Sequence, residues 1–132
     1  MAKTKITVEY PLATKSVTLV WKLIASAHGL QKWMADRVEE AGDTLTFTWG
    51  EPWTQQDIRT SRVIAQEKKK YIRLRWDVND SDDDYWELRI GTSDFSGNLC
   101  LIITDHVDKE DAEYMKGVWR HDLDRLHNTT GL

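Results

Sequence analysis

Residues 108–127 read DKEDAEYMKGVWRHDLDRLH, and this stretch decides the fold. At 3.6 residues per turn, Ala112, Met115, Trp119, Leu123 and Leu126 fall on one stripe, the pattern of a helix lying on an apolar surface. Asp108 is placed to cap the first turn. Glu110 and Asp111 add negative charge beside it, and Arg120, Arg125 and His127 add positive charge towards the other end, complementing the helix dipole. At 1.5 Å per residue such a helix is about 30 Å long, roughly the width of a small domain. The rest of the chain must supply the surface it lies on.

The preceding segments have the period of strands. Alternation of apolar and polar residues runs through 36–41, 45–49, 53–66, 71–78, 85–90 and 98–107. Gly42-Asp43, Gly50-Glu51-Pro52, Lys68-Lys69-Lys70, Asn79 to Asp84 and Asp94 to Gly97 separate them, and this short spacing predicts consecutive antiparallel hairpins. Before them, Lys5 to Tyr10 is a first strand halted by Pro11. Ser16 caps a helix carrying Val17, Val20, Trp21 and Ile24, and a second short helical piece covers Leu30 to Met34 after a break at Gly29. The expected class is α+β, with about seven strands forming a sheet for the C-terminal helix.

Composition sets the outer bounds. A chain of 132 residues with 40% hydrophobic and 30% charged residues is expected to be one domain, residues 1–132, with a single core. Seven tryptophans in that length require large rigid rings to be housed. The longest apolar runs, Val17 to Trp21 and Leu99 to Ile103, are too short to insert across a bilayer, and the start lacks an apolar leader, so the chain reads as cytoplasmic. The lone Cys100 excludes an internal disulfide and a cysteine-rich zinc site. A net charge of −4 argues against a nucleic-acid partner, and the lysine run is read as a solvated hairpin tip.

Alternation also assigns faces. Ile72, Leu74, Trp76 and Val78 lie on one side of their strand and Tyr71, Arg73, Arg75 and Asp77 on the other; Trp86, Leu88 and Ile90 oppose Glu87 and Arg89 in the same way. The 98–107 strand is apolar on both faces, which leaves its inward side open and places it near the sheet centre.

The pieces Gly29-Leu30-Gln31-Lys32-Trp33-Met34-Ala35-Asp36, Thr46-Phe47-Thr48-Trp49, Glu87-Leu88-Arg89-Ile90 and Leu101-Ile102-Ile103-Thr104-Asp105 resemble stretches of small bacterial START-like domains. These are relatives of the heat-shock-protein ATPase-activator homologues and of the polyketide cyclase and lipid-transfer superfamily. The resemblance covers nearly the whole chain and implies the helix-grip fold, a curved sheet wrapped around the last helix. It also implies a pocket between them, in a superfamily that includes carriers, cyclases and cochaperones.

The candidate pocket follows from the inferred faces. Met115 and Trp119 on the helix would face Trp49, Leu74, Trp76, Trp86, Leu88 and Leu101 on the sheet, a lining suited to a small hydrophobic or aromatic ligand. The same indoles are also able to fill that space themselves, since an empty void of about 200 Å³ would cost on the order of 5 kcal/mol. By parity Arg62 shares a face with Ile58 and Ile64, and Asp105 one with Leu101 and Ile103; where those faces are the inward ones, the two form a structural ion pair or Arg62 grips an acidic ligand. Catalytic machinery is thin. Cys100 and His106 stand about 20 Å apart along one strand, and Asp105 with Thr60 or Tyr10 is too small a set to name a reaction. The four histidines have no metal-binding spacing, and Asp80-Ser81-Asp82-Asp83-Asp84 fails as a calcium loop because Tyr85 and Gly91 occupy the positions that need Gly and Glu. The sequence therefore implies a binding domain without metal or cofactor. A protein-interaction or cochaperone-like module is the alternative, using Trp53, Tyr85 or Tyr114 at an exposed patch, with a protein partner or a homodimer.

Overall fold

The computed structural model describes residues 3–51, 53–77 and 84–132. The expected order of elements is present: β1 (Lys3–Pro11), α1 (Val17–Ile24), α2 (Ala27–Gln31), β2 (Arg37–Ala41), β3 (Thr44–Trp49), β4 (Asp57–Glu67), β5 (Tyr71–Trp76), β6 (Trp86–Thr92), β7 (Leu99–Asp108) and α3 (Ala112–Thr130). The strands form one antiparallel sheet in the order β1-β7-β6-β5-β4-β3-β2. Val78, the turn residues Asn79 to Asp83 with most of the rejected calcium motif, and Pro52 lie outside the described residues.

Pairing register fixes the face that sequence left open on β7. Leu101, Ile103 and Asp105 sit opposite Tyr10, Val8 and Ile6 of β1, and Ile103 also faces Leu88 of β6. All of these but Tyr10 are buried, so the odd-numbered residues of β7 point towards α3. Leu74 and Trp86 form the matching pair between β5 and β6, both fully buried.

Two helix boundaries differ from the sequence reading. Asp108 does not cap α3: it is extended, paired with Lys3 as the last rung of the β1–β7 ladder, and makes no side-chain capping bond. The ladder takes precedence, a 3₁₀ turn over Lys109–Asp111 follows, and α3 starts at Ala112. Its other end is closed by Gly131 at φ 78°, whose N–H reaches the His127 carbonyl, a left-handed cap that suits glycine. Ser16 caps α1 as expected, its Oγ accepting from the Leu19 N–H. Gly29, expected as the break before a second helical piece over Leu30 to Met34, lies inside α2, which is capped by Ser26. A Cβ there would overlap the Lys22 carbonyl oxygen and come within 2.7 Å of Leu23 Cα, so glycine permits backbone contact between α1 and α2.

The core is aromatic. Trp76 stacks on Trp86 with centroids 5.3 Å apart and planes 18° apart; Phe47 meets both edge-on, at 5.4 and 5.9 Å, and Trp86 continues to Trp119 at 5.8 Å. Of the two arrangements open to the sequence, the structure shows mutual contact of these indoles beneath α3. Each buried ring nitrogen finds an acceptor, as the polar handle of an indole requires. Trp33 donates to the Leu23 carbonyl at 3.0 Å, Trp49 to the Met34 carbonyl at 2.8 Å, and Trp86 to Ser61 Oγ at 3.0 Å.

On the outer face, Glu87 accepts from Arg73 at 2.8 Å and from Arg89 at 3.1 Å, while those guanidinium groups lie over Tyr85 and Tyr71. Burial would raise the Glu87 pKa, but the hydrogen bonds from Arg89 and Arg73 outweigh it and hold the carboxyl below its ordinary value. The lysine run forms the exposed β4–β5 turn, with Lys70 ion-paired to Glu67 at 3.0 Å. Among the described residues, no helix is long and apolar enough to cross a membrane.

Candidate functional site

The filled centre displaces open space towards the start of α3. There residues from the ends of β4, β5 and β7 and from the first turns of the helical segment line an open cleft of about 710 Å³. β5 contributes Trp76 and the following Asp77, β7 contributes Asp105 and Val107, β4 contributes Asp57, Arg59 and Thr60, and the helical side contributes Asp111 and Met115. Apolar walls thus alternate with carboxylates.

Asp105 is the buried polar group of this site, 7% exposed. Its Oδ2 accepts from Trp119 Nε1 at 3.0 Å and its Oδ1 from the His106 backbone N–H at 2.8 Å. Burial pushes its pKa above the ordinary carboxylate value, and those two hydrogen bonds offset the push only in part. The neighbouring His106 ring turns to the outer side of the strand. Its Nδ1 lies 2.8 Å from the Tyr85 carbonyl, which only accepts, so Nδ1 carries the proton.

The positive groups at the cleft are already engaged. Lys3 is 3.4 Å from Asp84 and Arg59 is 3.3 Å from Asp57. Among the described residues, Asp77, Asp108 and Asp111 have no ion-pair partner, which leaves the rim acidic. No group of three His, Cys, Asp or Glu among the described residues is arranged to hold a metal ion.

Of the residues singled out from sequence, Trp76, Asp105 and Met115 line the cleft. Leu74, Trp86, Leu88, Leu101 and Trp119 are buried in the core, and Trp49 is half-buried against Phe47 at 5.9 Å. Arg62 is a correction: it is exposed on the outer face opposite Arg75, while its neighbour Ser61 is fully buried and opposite Trp76. The expectation followed Ile58 and Ile64, but Ile58 is 59% exposed, and the register shift between Val63 and Ala65 removes Ile64 from simple alternation. Arg62 and Asp105 are therefore not a pair. Thr60 shares the cleft with Asp105, whereas Tyr10 pairs with Leu101, four residues or about 13 Å along β7. Sequence reasoning missed Asp57, Arg59 and Asp77, which come from strand ends, and read Asp108 and Asp111 only as helix-end charges.

A curved antiparallel sheet closed by a long C-terminal helix, with a cleft where the two part, defines a helix-grip domain. The chain belongs to the START-like superfamily, whose domain model matches residues 1–132. A Bacteroides fragilis protein solved by NMR is 30% identical, with a TM-score of 0.64, over 98% of this chain and 92% of that one. A Nitrosomonas europaea protein is 10% identical with a TM-score of 0.71, over 95% and 92% of the two chains. The Aha1 dimer from Colwellia psychrerythraea is 14% identical with a TM-score of 0.68, over 99% and 98%. No curated protein matches the sequence.

Proposed function

We propose that this domain binds a small, largely apolar or aromatic molecule in the cleft between the sheet and the first turns of α3, without transforming it. The carrying observation is the open space of about 710 Å³ walled by Trp76, Val107 and Met115, with the buried Asp105 carboxylate in it. Trp76, Val107 and Met115 give an apolar body a wall to lie on, and the carboxylates set between them can orient a polar end. Members of the superfamily bind ligands or act as cochaperone-like modules, and this cleft favours the first role.

The test is native mass spectrometry of freshly purified protein, repeated with Met115→Trp, which fills the cleft from the helix. A co-purified small molecule present in the wild type and lost from the variant is the expected result. A clean apo mass combined with specific capture of a protein partner would instead favour the interaction module. Trp53 and Tyr114, 80% and 73% exposed, are the residues that second reading would use.

A further inference from the structure

Resting on that reading, we infer that the cleft selects an organic cation: an ammonium group carried on a flat or chain-like apolar body, with Trp76 against the body and Asp105 facing the charge. The first support is the charge of the lining. Asp57, Asp77, Asp105, Asp108 and Asp111 outnumber Lys3 and Arg59, and both cations are already paired, with Asp84 and Asp57. An acidic ligand entering here would meet Asp105, Asp108 and Asp111, none of them ion-paired among the described residues, while Arg62 is exposed on the outer face beside Asp77 and away from Asp105.

The second support is the buried carboxylate itself. Each oxygen of Asp105 accepts one hydrogen bond, from the Trp119 ring N–H and the His106 backbone N–H, which leaves acceptor capacity on both. Neither donor carries a formal charge at those atoms. A buried carboxylate held only by neutral donors is stabilised strongly by a cation brought within a few ångströms, because both charges sit in low dielectric.

The third support is the aromatic wall. Trp76 is fixed by its stack on Trp86 and its edge contact with Phe47, yet it remains half-buried and lines the cleft. A rigid indole beside a carboxylate is a recognition pair for alkylammonium groups through the ring quadrupole. The competing account, that the carboxylates serve the N-terminal dipole of α3, applies to Asp108 and Asp111. It does not reach Asp77, at the end of β5, or Asp105, inside β7.

The experiment titrates the ¹⁵N-labelled protein with 4-phenylbutylamine, 4-phenylbutanol and 4-phenylbutyrate at low ionic strength, following the ring N–H signals of Trp76 and Trp119. These probes share one apolar body and differ in the charge at its end. The amine is expected to bind at least about tenfold more tightly than the alcohol, with the acid weakest, and to lose that advantage on adding salt. Equal binding of amine and alcohol, or preference for the acid, overturns the cation assignment and leaves the cleft as a binding site. Failure of all three probes to move the cleft signals overturns both. Asp105→Asn should reduce the amine to the affinity of the alcohol. Because that position is buried, Asp77→Asn at the exposed rim is the second variant, expected to weaken the amine about two- to threefold with the alcohol unchanged. An amine preference unaltered in both variants also overturns the proposal.

Discussion

The ring N–H of Trp119 donates to Oδ2 of Asp105 across 3.0 Å, tying the middle of α3 to strand β7 beside the cleft. The bond is buried on both sides, so its loss leaves a carboxylate oxygen without solvent to replace the donor. Trp119→Phe is expected to cost about 2–3 kcal/mol, part of it from the smaller ring, and the cost should shrink when Asp105 is already Asn. Urea denaturation of the two single variants and the double variant measures that coupling. Additive losses would show that the bond contributes nothing of its own.

Asp122, half-buried on α3, has its pKa pushed by burial up to about 7 from an ordinary 3.8, with Arg125 only partly opposing the push. A raised folded-state pKa means the folded protein holds a proton that the unfolded chain releases. The associated stability is present below about pH 4 and is lost as pH rises through about 7. Asp122→Asn should therefore be more stable than wild type at pH 8 by about 1 kcal/mol after screening, and the difference should fade towards pH 4. Paired urea melts at the two pH values check the sign.

Glu87 carries the opposite linkage. Its lowered pKa makes its contribution present above the ordinary value of 4.5 and lost as pH falls through the lower folded-state value. Glu87→Gln removes the charge shared by Arg73 and Arg89, and is expected to cost about 1–2 kcal/mol at pH 7. The deficit should narrow in acid. Thermal melts of both proteins across the acidic range would show the curves converging.

Gly29→Ala should be far more damaging than its single added methyl suggests. The new Cβ meets backbone, the Lys22 carbonyl and Leu23 Cα, so relief requires α1 and α2 to separate. A loss of about 3 kcal/mol is expected, read from the denaturation midpoint. Gly117→Ala is the internal control. It is a glycine on α3 where an added Cβ meets nothing within 4 Å, and the change there should be neutral or stabilising.

Much of the fold was legible because both periods were clean. Ile72 and Leu74 against Tyr71 and Arg73, and Met115, Trp119, Leu123 and Leu126 at helical spacing, each admit one secondary structure and one buried side. The errors fall where a local signal competes with a distant one. Asp108 has a good capping side chain, but its backbone is claimed by Lys3, more than a hundred residues away in sequence. Arg62 was assigned by the apolar character of Ile58 and Ile64, whereas the inward position beside Trp86 takes the small hydroxyl of Ser61, which accepts the indole proton. The cleft was half visible. Trp76 follows from alternation and Met115 from helical spacing, Asp105 needed the β7 register, and the acidity was not legible because Asp57, Asp77 and Asp111 reach the cleft from separate elements whose ends are set by register.

The contact of Trp76 with Trp86, and of Trp86 with Trp119, has an optical consequence. Indoles stacked at 5.3 Å and 18° share their excitation, so Trp76, Trp86 and Trp119 form a coupled chromophore and not three independent ones. One end of that chain lines the cleft and the other is hydrogen-bonded to Asp105. A molecule settling against Trp76 would therefore perturb the near-ultraviolet dichroism and emission of the whole array, which gives the domain a built-in reporter of occupancy that requires no label.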